Sequence, residues 1–93
     1  MRTSRLNLSG ELDAHSAPDI RRQLHALIDE GPEILVVDLE RATFLDSTIL
    51  GLLVGGLRRM REAGGELELV YPPQPVRRIF EFTGLEQVFP AAG

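Results

Sequence analysis

The residues of this 93-residue chain that carry the most chemistry are concentrated in one run, Phe44-Leu45-Asp46-Ser47-Thr48. The run lies between an apolar stretch of strand character and a stretch with helical apolar spacing. Its polar side chains therefore fall at a helix N-terminus, where unpaired backbone N–H groups and the positive end of the helix dipole gather. A phosphoryl group on Ser47 would sit in favourable potential there without melting the helix. It would add about 1.5 to 2 negative charges beside Asp46, changing the surface and leaving the fold. The plainer role is structural: Asp46 or Ser47 caps the helix, as Asp and Ser usually do.

Ser47 as a nucleophile needs a positioned base. His15 and His25 are the only histidines. His25 falls in a helical stretch and reads as a surface residue, whereas His15 precedes that helix near a strand end. No G-x-S-x-G elbow, oxyanion motif or paired acid/base signature accompanies them. The sequence thus names no catalytic residue, and an enzyme is not expected. Cysteine is absent, which removes disulfides, thiolate metal sites and cysteine nucleophiles. Two isolated histidines suggest no metal site, and no cofactor is expected. Gly51-Leu52-Leu53-Val54-Gly55-Gly56 lies within a helical pattern and lacks the lysine of a phosphate-binding loop. Arg58, Arg59, Arg61, Arg77 and Arg78 form either a basic patch for an acidic partner or, more commonly, a solvated helix face.

Ten basic and fourteen acidic residues leave a net charge of −4, which argues against direct nucleic-acid binding, since phosphate recognition depends on a basic footprint. The longest nearly uncharged stretch, Ser47 to Leu57, is far short of the roughly 20 apolar residues of a membrane span, so no membrane role is expected. The opening Met-Arg-Thr-Ser-Arg leads into no apolar signal segment, which makes the cytoplasm the default compartment.

The elements that must position Ser47 alternate between strand and helix. Arg5 to Ser9 alternates apolar and polar residues and predicts a half-buried strand, with a turn from Gly10 to Asp13. Ser16-Ala17-Pro18-Asp19 opens a helix with Ser16 as its cap. Ile20, Leu24, Leu27 and Ile28 give that helix one apolar stripe, and Gly31-Pro32 stops it. Ile34 to Leu39 is a β-branched apolar run that predicts a strand covered on both faces. After a polar loop, Leu50, Leu53, Val54, Leu57 and Met60 recur at helical spacing and end at Ala63-Gly64-Gly65. Gly55 and Gly56 interrupt this helix at roughly 1 kcal/mol each against alanine, and close packing against a neighbour would explain them. Glu66 to Val70 predicts a further strand. Pro75 opens a last helix with Val76, Ile79, Phe80 and Thr83 on one side, and Gly84-Leu85 forms its left-handed cap. The β-α-β-α-β-α order predicts an α/β layer fold with a mostly parallel sheet. Residues 1–93 read as a single domain.

Four landmarks in order resemble the STAS family, the domain of bacterial anti-sigma factor antagonists. They are Gly10-Glu11-Leu12-Asp13 with Ser16-Ala17-Pro18, then Phe44-Leu45-Asp46-Ser47-Thr48, then Gly64-Gly65-Glu66-Leu67, then Val76-Arg77-Arg78-Ile79-Phe80 with Thr83-Gly84-Leu85. The resemblance spans about Leu6 to Pro90. It implies a switch protein that binds an anti-sigma factor, commonly a serine kinase of the histidine-kinase-like ATPase fold, and thereby frees a sigma factor. The kinase phosphorylates the serine after the motif's aspartate, by position Ser47, and a metal-dependent phosphatase reverses this. Asp46, Ser47, Thr48 and Ile49 are then the expected partner-binding residues, joined by Asp13 from the turn that the family places beside the phosphosite.

Three departures carry their own expectations. Ile49 stands where the family usually has glycine, and its bulk is expected where a kinase approaches Ser47. The family's first edge strand and C-terminal helix are expected to be short or missing here, and an edge or apolar patch so exposed would favour self-association. These features also raise a rival reading, a non-switching STAS accessory subunit of a lipid ABC transporter or of a signalling scaffold.

Overall fold

A computed structural model describes residues 1–93. Three parallel strands form one sheet, β1 (Thr3–Leu12), β2 (Ile34–Leu45) and β3 (Glu66–Val70), in the order β1-β2-β3. Helix α1 (Ala17–Asp29) connects the first pair and α2 (Ser47–Glu62) the second. A short helix α3 (Arg78–Thr83) and a 3₁₀ turn (Leu85–Gln87) follow. This is the expected α/β architecture.

The core lies between the sheet and the two long helices. Leu6, Leu8, Leu35, Val37, Leu39, Leu67 and Leu69 alternate along their strands onto one face. They meet Ile20, Leu24 and Ile28 of α1 and Ile49, Leu53, Leu57 and Met60 of α2. The prediction that β2 is covered on both faces is corrected. Helices cover one face only, and on the other Val36 aligns with Arg5 and Glu68. Val36 is nonetheless 7% exposed, because a central strand is flanked by both neighbours' side chains. On this open face Arg5 pairs with Asp38. The Glu40 N–H, donating to Asp38 Oδ1 at 2.9 Å, holds the Asp38 carboxyl below its ordinary range, and Arg5 adds to the effect.

Two strands outrun their predicted ends, and the same pairing explains both. β2 continues through Glu40-Arg41-Ala42-Thr43-Phe44-Leu45 because β1 continues beside it, with Gly10 against Ala42 and Leu12 against Leu45. Tertiary pairing overrides the polar composition that read as a loop. Extra β2 residues opposite the Asn7–Ser9 and Gly10–Glu11 steps of β1 make bulges, and Gly10 supplies a positive φ of 78° in this stretch. The outer edge of β1 has no neighbouring strand.

Ser16 occupies the N-cap position of α1, its carbonyl accepting from the Ile20 N–H at 3.2 Å, but its side chain makes no capping bond. Its hydroxyl accepts from the Asp13 N–H at 3.0 Å and lies 3.1 Å from the Asp13 carbonyl, so it serves the preceding turn. The last helix begins later than Pro75 because Arg78, Ile79 and Phe80 donate to carbonyls three residues back, a turn tighter than α-helix. Gly84 closes it at φ 74°, left-handed as expected. Phe80 fixes this end of the molecule through edge-on contacts with Tyr71 and Phe89. The Tyr71 hydroxyl donates to the Phe89 carbonyl at 2.7 Å, and burial raises its pKa above the usual phenol value.

Candidate functional site

The candidate site lies where the C-terminal ends of β1 and β2 pass into α1 and α2. Asp46 is the joint. Its backbone is extended at φ −115° and ψ 178°, as an N-cap requires. Asp46 Oδ1 accepts from the Ile49 N–H at 3.2 Å, and Oδ2 accepts from the Ala14 N–H at 3.0 Å. Its own N–H donates to the Leu12 carbonyl at 3.3 Å, and its carbonyl accepts from the Leu50 N–H at 3.2 Å. The choice between Asp46 and Ser47 as cap is thus settled for Asp46. One carboxylate caps α2 and also clamps the β1–α1 loop against it.

Asp13 holds that loop from within. Its Oδ1 accepts from the N–H groups of His15 at 3.0 Å and Ser16 at 3.2 Å. Its carbonyl accepts from the Ala17 N–H at 3.0 Å. Asp13 and Asp46 are therefore brought together through Ala14, the residue after one and the hydrogen-bond donor to the other. The sequence singled out both aspartates as partner contacts. Each is half-buried and engaged with backbone amides, so each shapes the surface that Ser47 and Thr48 present.

Ser47 and Thr48 are exposed in the first turn of α2. With the Ile49 and Leu50 amides taken by Asp46, the Ser47 and Thr48 N–H groups remain without intrahelical partners. Ile49 turns the other way, and here the sequence reading is corrected. Its side chain is 0% exposed within the core. Its bulk fills the space under α2, neither crowding the approach to Ser47 nor offering a side-chain contact to a partner.

Unlike flanks border the serine. Thr48 joins Ala14, Ala17, Pro18, Arg21 and Leu52 around a groove of about 310 Å³. On the α3 side, Thr43, Phe44, Leu45, Pro75, Val76 and Ile79 line an apolar groove of about 250 Å³. Phe44, 48% exposed at its rim, lies in β2 and not in the loop that the local composition predicts. The missed signal was alternation, since a strand extending to Leu45 puts Phe44 and Leu45 on opposite faces. His15 is exposed and His25 half-buried on α1. Neither ring shares a hydrogen bond with Ser47, and the hydroxyl has no positioned base. No group of three or more His, Asp or Glu side chains could hold a metal ion. No helix is long and apolar enough to cross a membrane.

Comparison with known proteins finds relatives over most of the chain. The chain is 34% identical over 83 residues to the anti-sigma-B factor antagonist of Bacillus subtilis, covering 89% of this chain and 75% of that protein. The solved structure of the anti-sigma factor antagonist SpoIIAA in its unphosphorylated form superposes with a TM-score of 0.82 at 32% identity, covering 99% of this chain and 81% of that one. SpoIIAA of Bacillus in the phosphorylated form gives 0.73 at 31% identity, over 99% and 84%. The curated relative and the solved neighbour are both named as antagonists of anti-sigma factors. The STAS domain model matches residues 2–92, and with three parallel strands in the matching architecture, the chain belongs to the STAS domain family.

Proposed function

We propose that this domain is an anti-sigma factor antagonist switched off by phosphorylation of Ser47. It binds an anti-sigma factor that is a serine kinase of the histidine-kinase-like ATPase fold, and a sigma factor is released. In the switching step Ser47 Oγ attacks the γ-phosphorus of ATP. The Oγ–P bond forms, the bond to ADP breaks, and the serine proton passes to the kinase. A metal-dependent phosphatase restores the hydroxyl. The names of its relatives support the antagonist role, and the two forms of SpoIIAA support the switch.

One observation carries the reading: Ser47 is exposed at the start of a helix whose cap is already supplied by Asp46. A phosphate there adds charge without removing a hydrogen bond that the fold uses. It meets the free amides of Ser47 and Thr48, so α2 stays formed. A docked partner would have to desolvate that dianion, which costs several kcal/mol unless it is paired. Affinity falls while the fold persists. Ile49 supports the same reading, because the accessory-subunit alternative drew on its crowding Ser47, and a side chain enclosed in the core exerts none.

Intact-mass measurement after incubation with Mg-ATP and host lysate tests the proposal. The expected result is one added phosphoryl group, absent in Ser47→Ala. A phosphoryl group retained in Ser47→Ala would place the modification elsewhere and sink the assignment.

A further inference from the structure

Helix α2 carries glycines that the chain itself does not explain. A Cβ on Gly56 would press on Leu24 Cδ2 at 3.1 Å and Leu67 Cδ1 at 3.2 Å, so packing accounts for its lack of a side chain. Gly51 and Gly55, one turn apart on the solvent side, have no atom within 4 Å of where a Cβ would stand. Glycine inside an exposed helix costs stability against alanine. Nothing inside the molecule offsets that cost at either position.

Both glycines floor a groove of about 440 Å³ between α1 and α2, walled by Arg21 and His25 on one side and Arg58 and Arg59 on the other. Arg59 is neutralised by Asp29 at 2.7 Å. Arg21 and Arg58 make no ion pair in the chain. A net charge of −4 therefore coexists with a locally cationic trough. The trough also runs toward the candidate site, because Arg21 and Leu52 line both it and the groove that reaches Thr48.

We infer that the α1–α2 groove docks an acidic amphipathic helix of the protein partner, extending the Ser47 surface along α2. The inference deepens the proposed function, naming the chemistry of the partner's contacting segment, and rests on that reading for the existence of a protein partner. Ridges of one helix seat in the groove between two others, and a floor without side chains lets the third backbone come close. Ala17, Pro18 and Leu52 meet its apolar stripe, while Arg21 and Arg58 meet carboxylates on its flanks. A long polyanion fits less well, since beyond two free arginines it would run onto a net acidic surface.

The test uses the full ¹⁵N-labelled chain and an 18-residue lactam-bridged helical peptide with an Ala/Leu stripe flanked by glutamates. Saturable amide shifts at Gly51, Gly55, Arg21 and Arg58 are expected, and none with the lysine version of the peptide. Gly55→Ala should melt at a higher temperature yet bind at least ten-fold more weakly, a pairing that a structural role cannot produce. Arg58→Glu should weaken binding similarly. Unchanged affinity in Gly55→Ala, shifts elsewhere, or an equal response to disordered polyglutamate or a short DNA duplex would each overturn the inference. Because no kinase or ATP is present, failure here leaves the Ser47 mass measurement standing, and a negative mass result leaves this one readable.

Discussion

The two faces of α2 use the same helix for opposite ends. Inward, Ile49, Leu53, Leu57 and Met60 are at most 4% exposed, and a Cβ on Gly56 would crowd Leu24 and Leu67. Outward, Ser47, Thr48, Gly51, Arg58 and Arg59 face solvent, and Gly51 and Gly55 have free space above them. On the inner face a side chain is chosen by the volume it must fill. On the outer face its choice has little effect on the fold, so what stands there is free to vary with the surface it must present. The difference teaches that the Ser47 surface can change without altering the core beneath it.

Substitutions that cross this division should separate the faces, and Ile49→Gly should do most. It installs the family's usual residue, yet removes a fully buried side chain, and should cost about 3–5 kcal/mol in denaturant unfolding through the cavity and the glycine. A loss below about 1 kcal/mol would mean that the inner face tolerates a hole and would erase the distinction. Gly56→Val, forcing atoms against Leu24 and Leu67, should cost about 1–3 kcal/mol. Asp46→Ala should cost about 1–2 kcal/mol, combining a lost cap with a lost loop clamp. Faster amide exchange at both Ile49 and Ala14 would show that the two losses come together. Gly55→Ala should run the other way and stabilise by about 0.5–1 kcal/mol, because the new methyl meets open space. That sign, against the loss at neighbouring Gly56, is the sharpest contrast available on one helix.

The smallest effect is expected away from α2, at Asp38 on the open sheet face. Its folded pKa is depressed, first by the Glu40 amide and then by Arg5. Its contribution is therefore present above the unfolded carboxylate pKa and is lost as pH falls through the folded value. Stability of Asp38→Asn measured from neutral to acid pH should fall less steeply than that of the parent. Identical slopes would show that Asp38 titrates alike in both states.

The helical stretches were legible because their apolar spacing is long and regular, as at Ile20, Leu24 and Ile28 or Leu50, Leu53 and Leu57. Gly84 was legible because a left-handed cap favours glycine. The ends of β1 and β2 were not, since Gly10 and the run Glu40-Arg41-Ala42-Thr43 carry turn and loop signals locally and become strand by pairing with each other. Within the site, Ser47 and Asp46 were readable as a helix start. Spacing left open which of them caps it, and it could not reveal that Ala14, 32 residues away, donates to the second carboxylate oxygen.

By itself, then, the amino-acid order determined the element types, the α/β class and the placing of a serine at a helix N-terminus, because these follow from periodicity and local backbone chemistry. Only the tertiary structure decided that Ile49 points into the core, that Asp46 ties two loops together, and that α1 and α2 leave an arginine-walled groove adjoining the one that reaches Thr48. Each of these depends on which distant segment lies opposite, and no local pattern encodes that.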